Sequence, residues 1–231
     1  GWQPNDFVIR PDGFADAKNK MFRSIDTVQR LWRGEAIEFA NPLGQLVPTR
    51  TLPRPVQAEL PTWVTTAGNA ETYKLAGESG ANLLTHLLGQ TVEEVGEKVK
   101  VYRAARAAAG LDPDAGVVTL MLHTFVGEND DDVRELVRAP MKDYLSSSVA
   151  LVKGFAWAFP AFKRPGGANA KPDDVDLSSL TPEELDAILE HAFERYFETS
   201  GLFGTPETCA KMIERVRAVG VDEIACLIDY G

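Results

Sequence analysis

The chain is poor in the residues that mark several protein classes. It holds 2 cysteines and 3 histidines in 231 residues. Cys209 and Cys226 fall at apolar positions of a helix pattern and a strand pattern. The expectation is two buried thiols in a reducing compartment, hence a cytoplasmic protein, and not a disulfide framework. His86, His123 and His191 lie far apart and give no zinc-ligand spacing, so no metal is expected. Positive charge is also scarce: 24 Lys and Arg stand against 34 Asp and Glu, a net charge of −10. The basic pairs that occur sit among acids on helical faces, which argues against nucleic acid as a partner. No run approaches the roughly 18 apolar residues of a membrane span. There is no complete Gly-x-Gly-x-x-Gly, no phosphate-loop lysine motif and no Gly-x-Ser-x-Gly elbow. Without an evident nucleophile or acid–base set, the hard chemistry is expected to come from a cofactor.

What is present is an ordinary globular composition, 44% hydrophobic and 25% charged. Short apolar runs alternate with segments of helical period. Residues 15–33 read as a helix ended by Gly34, and the proline-rich stretch 35–61 reads as an irregular excursion with a hairpin near Leu43 to Thr51. Strands are expected at 63–66, 82–87, 116–126 and 221–228. Between them lie helices from Ala70, from Thr91-Val92-Glu93-Glu94 (a capping box), from about Asp130 to Val152, from Thr181-Pro182 and from Thr205-Pro206. Residues 153–179 read as an inserted loop. This alternation implies a parallel sheet covered by helices, either a small open sheet or part of a barrel.

In both architectures the working residues lie beyond the carboxyl ends of the strands. Ala67-Gly68-Asn69 is the most informative such turn, because it delivers a Gly and an Asn onto a helix start with Thr72 one turn in. Asn69 either caps the helix or joins free N–H groups in an anion site. His86 stands at a strand end, His123 within a strand as a core or supporting residue, and His191 on a charged surface helix. The acidic run Glu128 to Asp132 reads as a solvated helix start.

Taken in order, these residues resemble the bacterial-luciferase-like, flavin-dependent monooxygenases. The resemblance rests on Gly1-Trp2-Gln3-Pro4-Asn5-Asp6-Phe7, Leu60-Pro61-Thr62-Trp63, Thr66 to Thr72, Ala76-Gly77 with Gly80-Ala81, Gly204-Thr205-Pro206-Glu207 and Ala218 to Glu223. Asn5-Asp6-Phe7, Leu84 to Leu87, Leu122 to Glu128 and Tyr144-Leu145 are most similar to the subgroup found within nonribosomal peptide and polyketide synthases. The resemblance implies an α/β fold, a luciferase-like (β/α)8 barrel. Only its C-terminal half, strands five to eight, would be present as one domain over 1–231, with the insertion near strand seven. The chain would then be N-terminally truncated at Gly1 and inactive alone. It further implies reduced FMN, supplied by a separate flavin reductase and used with dioxygen to oxygenate a small or carrier-protein-bound intermediate. Trp2, Gly68, Asn69 and Thr72 would hold the flavin phosphate, and Asp6 would sit near the flavin. His86 and Thr124 would line the catalytic side. A homodimer is compatible with the family. The alternatives are an F420 (deazaflavin)-dependent oxidoreductase of the same fold and a non-catalytic flavin-fold protein.

Overall fold

A computed structural model describes residues 4–147, 153, 180–228 and 230. Two single 3-10 turns, Pro4–Phe7 and Pro11–Gly13, lead into helix α1, Ala17–Arg33. Gly34 ends α1 at φ +89°, a left-handed conformation that only glycine adopts without strain. Phe22 and Ile25 set α1 against the core, although none of its residues is fully buried. Strands β1 (Ile37–Ala40) and β2 (Leu46–Thr49) then pair antiparallel, Ile37 facing Thr49. This hairpin begins earlier than the expected Leu43. Asn41 Oδ1 closes its loop by accepting the N–H groups of Leu43 and Gln45 at 2.9 and 3.0 Å.

The remaining elements alternate: β3 (Trp63–Thr65), α2 (Ala70–Glu78), β4 (Asn82–His86), α3 (Val92–Ala108), β5 (Val118–Val126), α4 (Asp130–Ser146), α5 (Pro182–Thr199), β6 (Leu202–Gly204), α6 (Pro206–Ala218) and β7 (Glu223–Leu227). All five strands from β3 onward pair parallel. β3 pairs with β4 and β4 with β5; β5 pairs with β7 over Thr119–His123 and with β6 over Thr124–Val126. The sheet thus has one strand more than the four expected, because β6 is only three residues long and fully buried between two helices. β3 and β7 do not pair, so no closed barrel is seen among the described residues. The expected insertion and the end of the expected 130–152 helix lie outside the described residues, apart from Lys153.

Two apolar clusters hold these layers. In the first, one face of the sheet (Val64, Leu83, Leu120, Leu122) packs on Tyr73 and Ala76 of α2 and on Val95, Val99 and Tyr102 of α3. Each buried Val or Leu among them contributes about 1.5–3 kcal/mol. α2 and α3 approach so closely that a Cβ on Gly77 would lie 2.5 Å from the Tyr102 carbonyl oxygen. The second cluster joins α4 and α5 to Phe203 of β6 and to Tyr230. Across the outside of that helix pair, Arg134, Arg138 and Lys142 at i, i+4 and i+8 face Glu194, Glu190 and Asp186. Cys209 is buried as expected, whereas Cys226 is exposed. It lies on β7, an end strand that pairs only with β5 among the described residues. No described helix is long and apolar enough to cross a membrane.

Candidate functional site

The parallel ladder carries the chain past β3, with Thr66 N–H donating to the Leu84 carbonyl at 3.0 Å. Beyond it Ala67 and Gly68 turn the chain onto α2. Asn69 is the N-cap: its backbone is extended (φ −86°, ψ 100°) and its Oδ1 accepts the Thr72 N–H at 3.1 Å. The capping role of Asn69 is therefore real, and it occupies only the carbonyl end of the amide. The first N–H groups of a helix have no partner within it, and they carry the positive end of the helix dipole. The Asn69 NH2 and the N–H groups of Ala70 and Glu71 are thus the donors this turn offers. Thr72 is buried, and no described hydrogen bond engages its hydroxyl. The structure brings Gly68, Asn69 and Thr72 together as one turn.

A residue that sequence reasoning passed over joins them. Lys98, on α3, holds its Nζ 3.8 Å from where a Cβ on Gly68 would lie. That ammonium donates to Gln90 Oε1 at 2.6 Å. Gln90 is buried, and its Nε2 donates in turn to Thr85 Oγ1 at 3.1 Å and to the His86 carbonyl. Tyr73 donates its hydroxyl to the same Thr85 Oγ1 at 2.8 Å, and burial pushes its phenol pKa up. A polar chain thus runs from the turn, through α3, to the carboxyl end of β4.

His86 terminates β4. Alternation along the strand puts it on the sheet face opposite Thr85. Its Nδ1 accepts the Leu88 N–H at 3.2 Å, and burial lowers its pKa. The ring is therefore neutral at neutral pH, with Nε2 as its N–H donor. The same face carries Trp63, whose indole donates to Thr119 Oγ1 at 2.9 Å, and Thr119 donates to Glu223 at 2.7 Å.

Thr124 is not brought to His86. Register pairs Thr85 with Leu120 and His86 with Met121, so Thr124 shares the face of Thr85. It is buried, and its hydroxyl donates to the Leu122 carbonyl at 2.9 Å. His123 points to the His86 face but is enclosed, its ring 4.5 Å from that of Tyr144 and 5.9 and 6.0 Å from those of Tyr196 and Tyr230. Burial raises the Tyr196 phenol pKa far above its ordinary value. Asp6 is exposed in the turn Pro4–Phe7, and Trp2 lies outside the described residues.

A second strand–Gly–helix turn, at α6, is already filled. Asp130 Oδ1 accepts the Thr205 N–H at 2.6 Å and Oδ2 accepts the Thr208 hydroxyl at 2.9 Å. These donors, the Thr205 N–H foremost, hold the Asp130 carboxyl below its usual pKa. The acidic start of α4 is thus more than a solvated helix end. Asn129 caps α4, accepting from Asp131 and Asp132, while Asp130 reaches across to another helix.

Among known proteins, the family described as luciferase-like monooxygenase matches residues 1–223. No curated protein matches the chain. Of solved structures, monooxygenase RslO1 from Streptomyces bottropensis has a TM-score of 0.64 at 17% identity, covering 99% of this chain and 59% of its own. The oxygenating constituent of 3,6-diketocamphane monooxygenase, from the CAM plasmid of Pseudomonas putida and in complex with FMN, gives 0.62 at 18% identity, covering 99% and 62%. The coenzyme F420-dependent tetrahydromethanopterin reductase from Methanopyrus kandleri gives 0.63 at 13% identity, covering 90% and 56%. The chain therefore spans about six-tenths of the length of these structures, and at such identities the likeness is one of fold. On the match over residues 1–223, the chain belongs to the luciferase-like monooxygenase family.

Proposed function

We propose that the chain contributes the phosphate-binding side of an FMN-dependent monooxygenase. The observation that carries this reading is the β3–α2 turn. Its donor set is anion-binding in kind, and Gly68 leaves open the space a side chain would fill beside an ammonium. Reduced flavin, when bound, supplies the electrons with which dioxygen oxygenates an organic substrate. This chain's residues bind and orient: the Ala70 and Glu71 N–H groups, the Asn69 NH2 and the Thr72 hydroxyl hold the phosphate. His86, neutral, offers an N–H donor to a carbonyl or ring oxygen without adding charge. β3, β4, β5 and β7 are read as strands five to eight of an eight-stranded barrel, with the three-residue β6 as an extra strand beside the end of β5. Two features support this: among the described residues β3 and β7 each pair on one side only, and the chain spans 59% of RslO1. The reductase, a small or carrier-bound substrate and the peptide-synthase setting belong to the same proposal and rest on the motif resemblance.

The test is a flavin titration of the full chain, followed by fluorescence and calorimetry. FMN is expected to bind with a dissociation constant on the order of micromolar, about −8 kcal/mol. Asn69→Asp, which keeps a good N-cap, should weaken FMN about tenfold by setting a carboxylate against the phosphate. Absence of FMN binding up to millimolar concentration overturns the reading. F420 competing better than FMN would favour the deazaflavin branch, which the F420-dependent tetrahydromethanopterin reductase represents.

A further inference from the structure

The geometry points to Lys98 as the cation that makes this turn selective for a phosphorylated flavin over the unphosphorylated one; the inference rests on the flavin reading above. Lys98 differs from the ion-paired lysines among the described residues. Lys74, Lys100 and Lys142 each face a carboxylate within 4 Å, at 3.8, 2.6 and 2.6 Å. Lys98 instead donates to a neutral amide, Gln90 Oε1. The carboxylate one helical turn away, Glu94, is spent in the capping box, where it accepts the Thr91 N–H at 2.8 Å. In a chain of net charge −10 this ammonium is left without an acidic partner among the described residues.

Its position is held from behind. Gln90 is fixed at its other end by Thr85 and the His86 carbonyl, and Thr85 by the buried Tyr73 hydroxyl. The Lys98 side chain therefore gives up part of its rotamer freedom before any ligand arrives, so less is lost on binding. Gly68 is the complement of this arrangement, since the absence of its side chain leaves the ammonium in open contact with the turn. An ammonium and the first N–H groups of α2 converge on one anion, and the charge-assisted bond is the stronger contribution. Riboflavin, which lacks the phosphate, gains nothing from Lys98. The same Gln90 touches the carbonyl of His86, so the phosphate contact and the proposed donor at the end of β4 are tied into one rigid frame.

The experiment compares FMN and riboflavin binding to the full chain for wild type, Lys98→Met and Lys98→Arg. Wild type is expected to prefer FMN. Lys98→Met should weaken FMN about tenfold and leave riboflavin unchanged, and Lys98→Arg should restore most of the loss. In wild type, raising salt should shrink the FMN-to-riboflavin preference, because the contact is ionic and half exposed. FMN affinity unchanged in Lys98→Met, or a wild-type preference indifferent to salt, overturns the role of Lys98 while the flavin reading stands. The salt arm needs no variant, so misfolding of Lys98→Met leaves the role testable. Failure of wild type to bind either flavin overturns both.

Discussion

Two turns of this molecule are built alike and used differently. Ala67-Gly68-Asn69 feeds α2 and Phe203-Gly204-Thr205 feeds α6; each brings a strand through a glycine onto a polar N-cap. At α6 the positive helix end is satisfied from within, by the carboxylate of Asp130, 75 residues earlier in the chain. At α2 the atom nearest to where a Cβ on Gly68 would lie is an ammonium nitrogen, so the field there is made more positive, and the proposal is that an anion from outside answers it. The physical signal of each turn is local, but its use is decided by one distant side chain and the sign of its charge.

The glycines break this comparison most strongly. Gly204 has φ +117°, and a Cβ there would lie 2.4 Å from Asp130 Oδ1. Gly204→Val should therefore lose at least about 2 kcal/mol in urea unfolding, from backbone strain and expulsion of the carboxylate. At Gly68 the backbone is ordinary, and the nearest atom to a Cβ is 3.8 Å away. Gly68→Ala should stay within about 0.5 kcal/mol of wild type. Equal losses at the two positions would show that the turns do not differ in the way described.

Next in size is the frame behind Lys98. Tyr73→Phe removes the donor to Thr85 Oγ1 in a fully buried setting and should cost about 1–1.5 kcal/mol of stability. Wild-type stability in this variant would mean that the Thr85–Gln90 link holds the frame without the phenol.

The contrast between the two turns also marks what can be read from sequence. The capping box at Thr91 forms both its bonds, at 2.8 and 3.2 Å, and Gly34, Gly80, Gly110 and Gly220 all take positive φ after their helices. These are short-range effects, settled within a few residues, and they are legible. β6 was not, because three residues cannot display an alternation and Leu202–Gly204 is set by its pairing with Thr124–Val126. Lys98 sits among Glu93, Glu94, Glu97 and Lys100 and looks like one more solvated charge; only the packing of α3 against α2 turns it toward Gly68. Asp130 reads as favourable to its own helix, yet it serves α6. Thr124 stands at a strand end, as an active-site residue would, but register assigns it the helix-facing side. What escapes the sequence is the long-range term, which chooses among locally equivalent polar residues.

The smallest effect is expected from changing the charge at α6. The Asp130 carboxyl has its pKa lowered in the folded chain, first by the Thr205 N–H and then by the Thr208 hydroxyl. A lowered folded pKa means that the stabilisation is fully present above the unfolded carboxylate value. It is lost as pH falls through the folded one, so only its loss, and not its presence, is seen on the acid arm below about pH 4. Asp130→Asn keeps an acceptor but removes the charge, so its melting temperature should fall slightly below that of wild type at neutral pH, and its shallower acid arm should bring the two proteins together at low pH. Because the side chain is exposed, salt should mask part of the difference. The same variant should give α6 the anion response proposed for α2: inorganic phosphate should raise its melting temperature more than that of wild type. An acid arm and a phosphate response identical to wild type would show that Asp130 does not fill the α6 turn, and the asymmetry between the two turns would then have to lie in Lys98 alone.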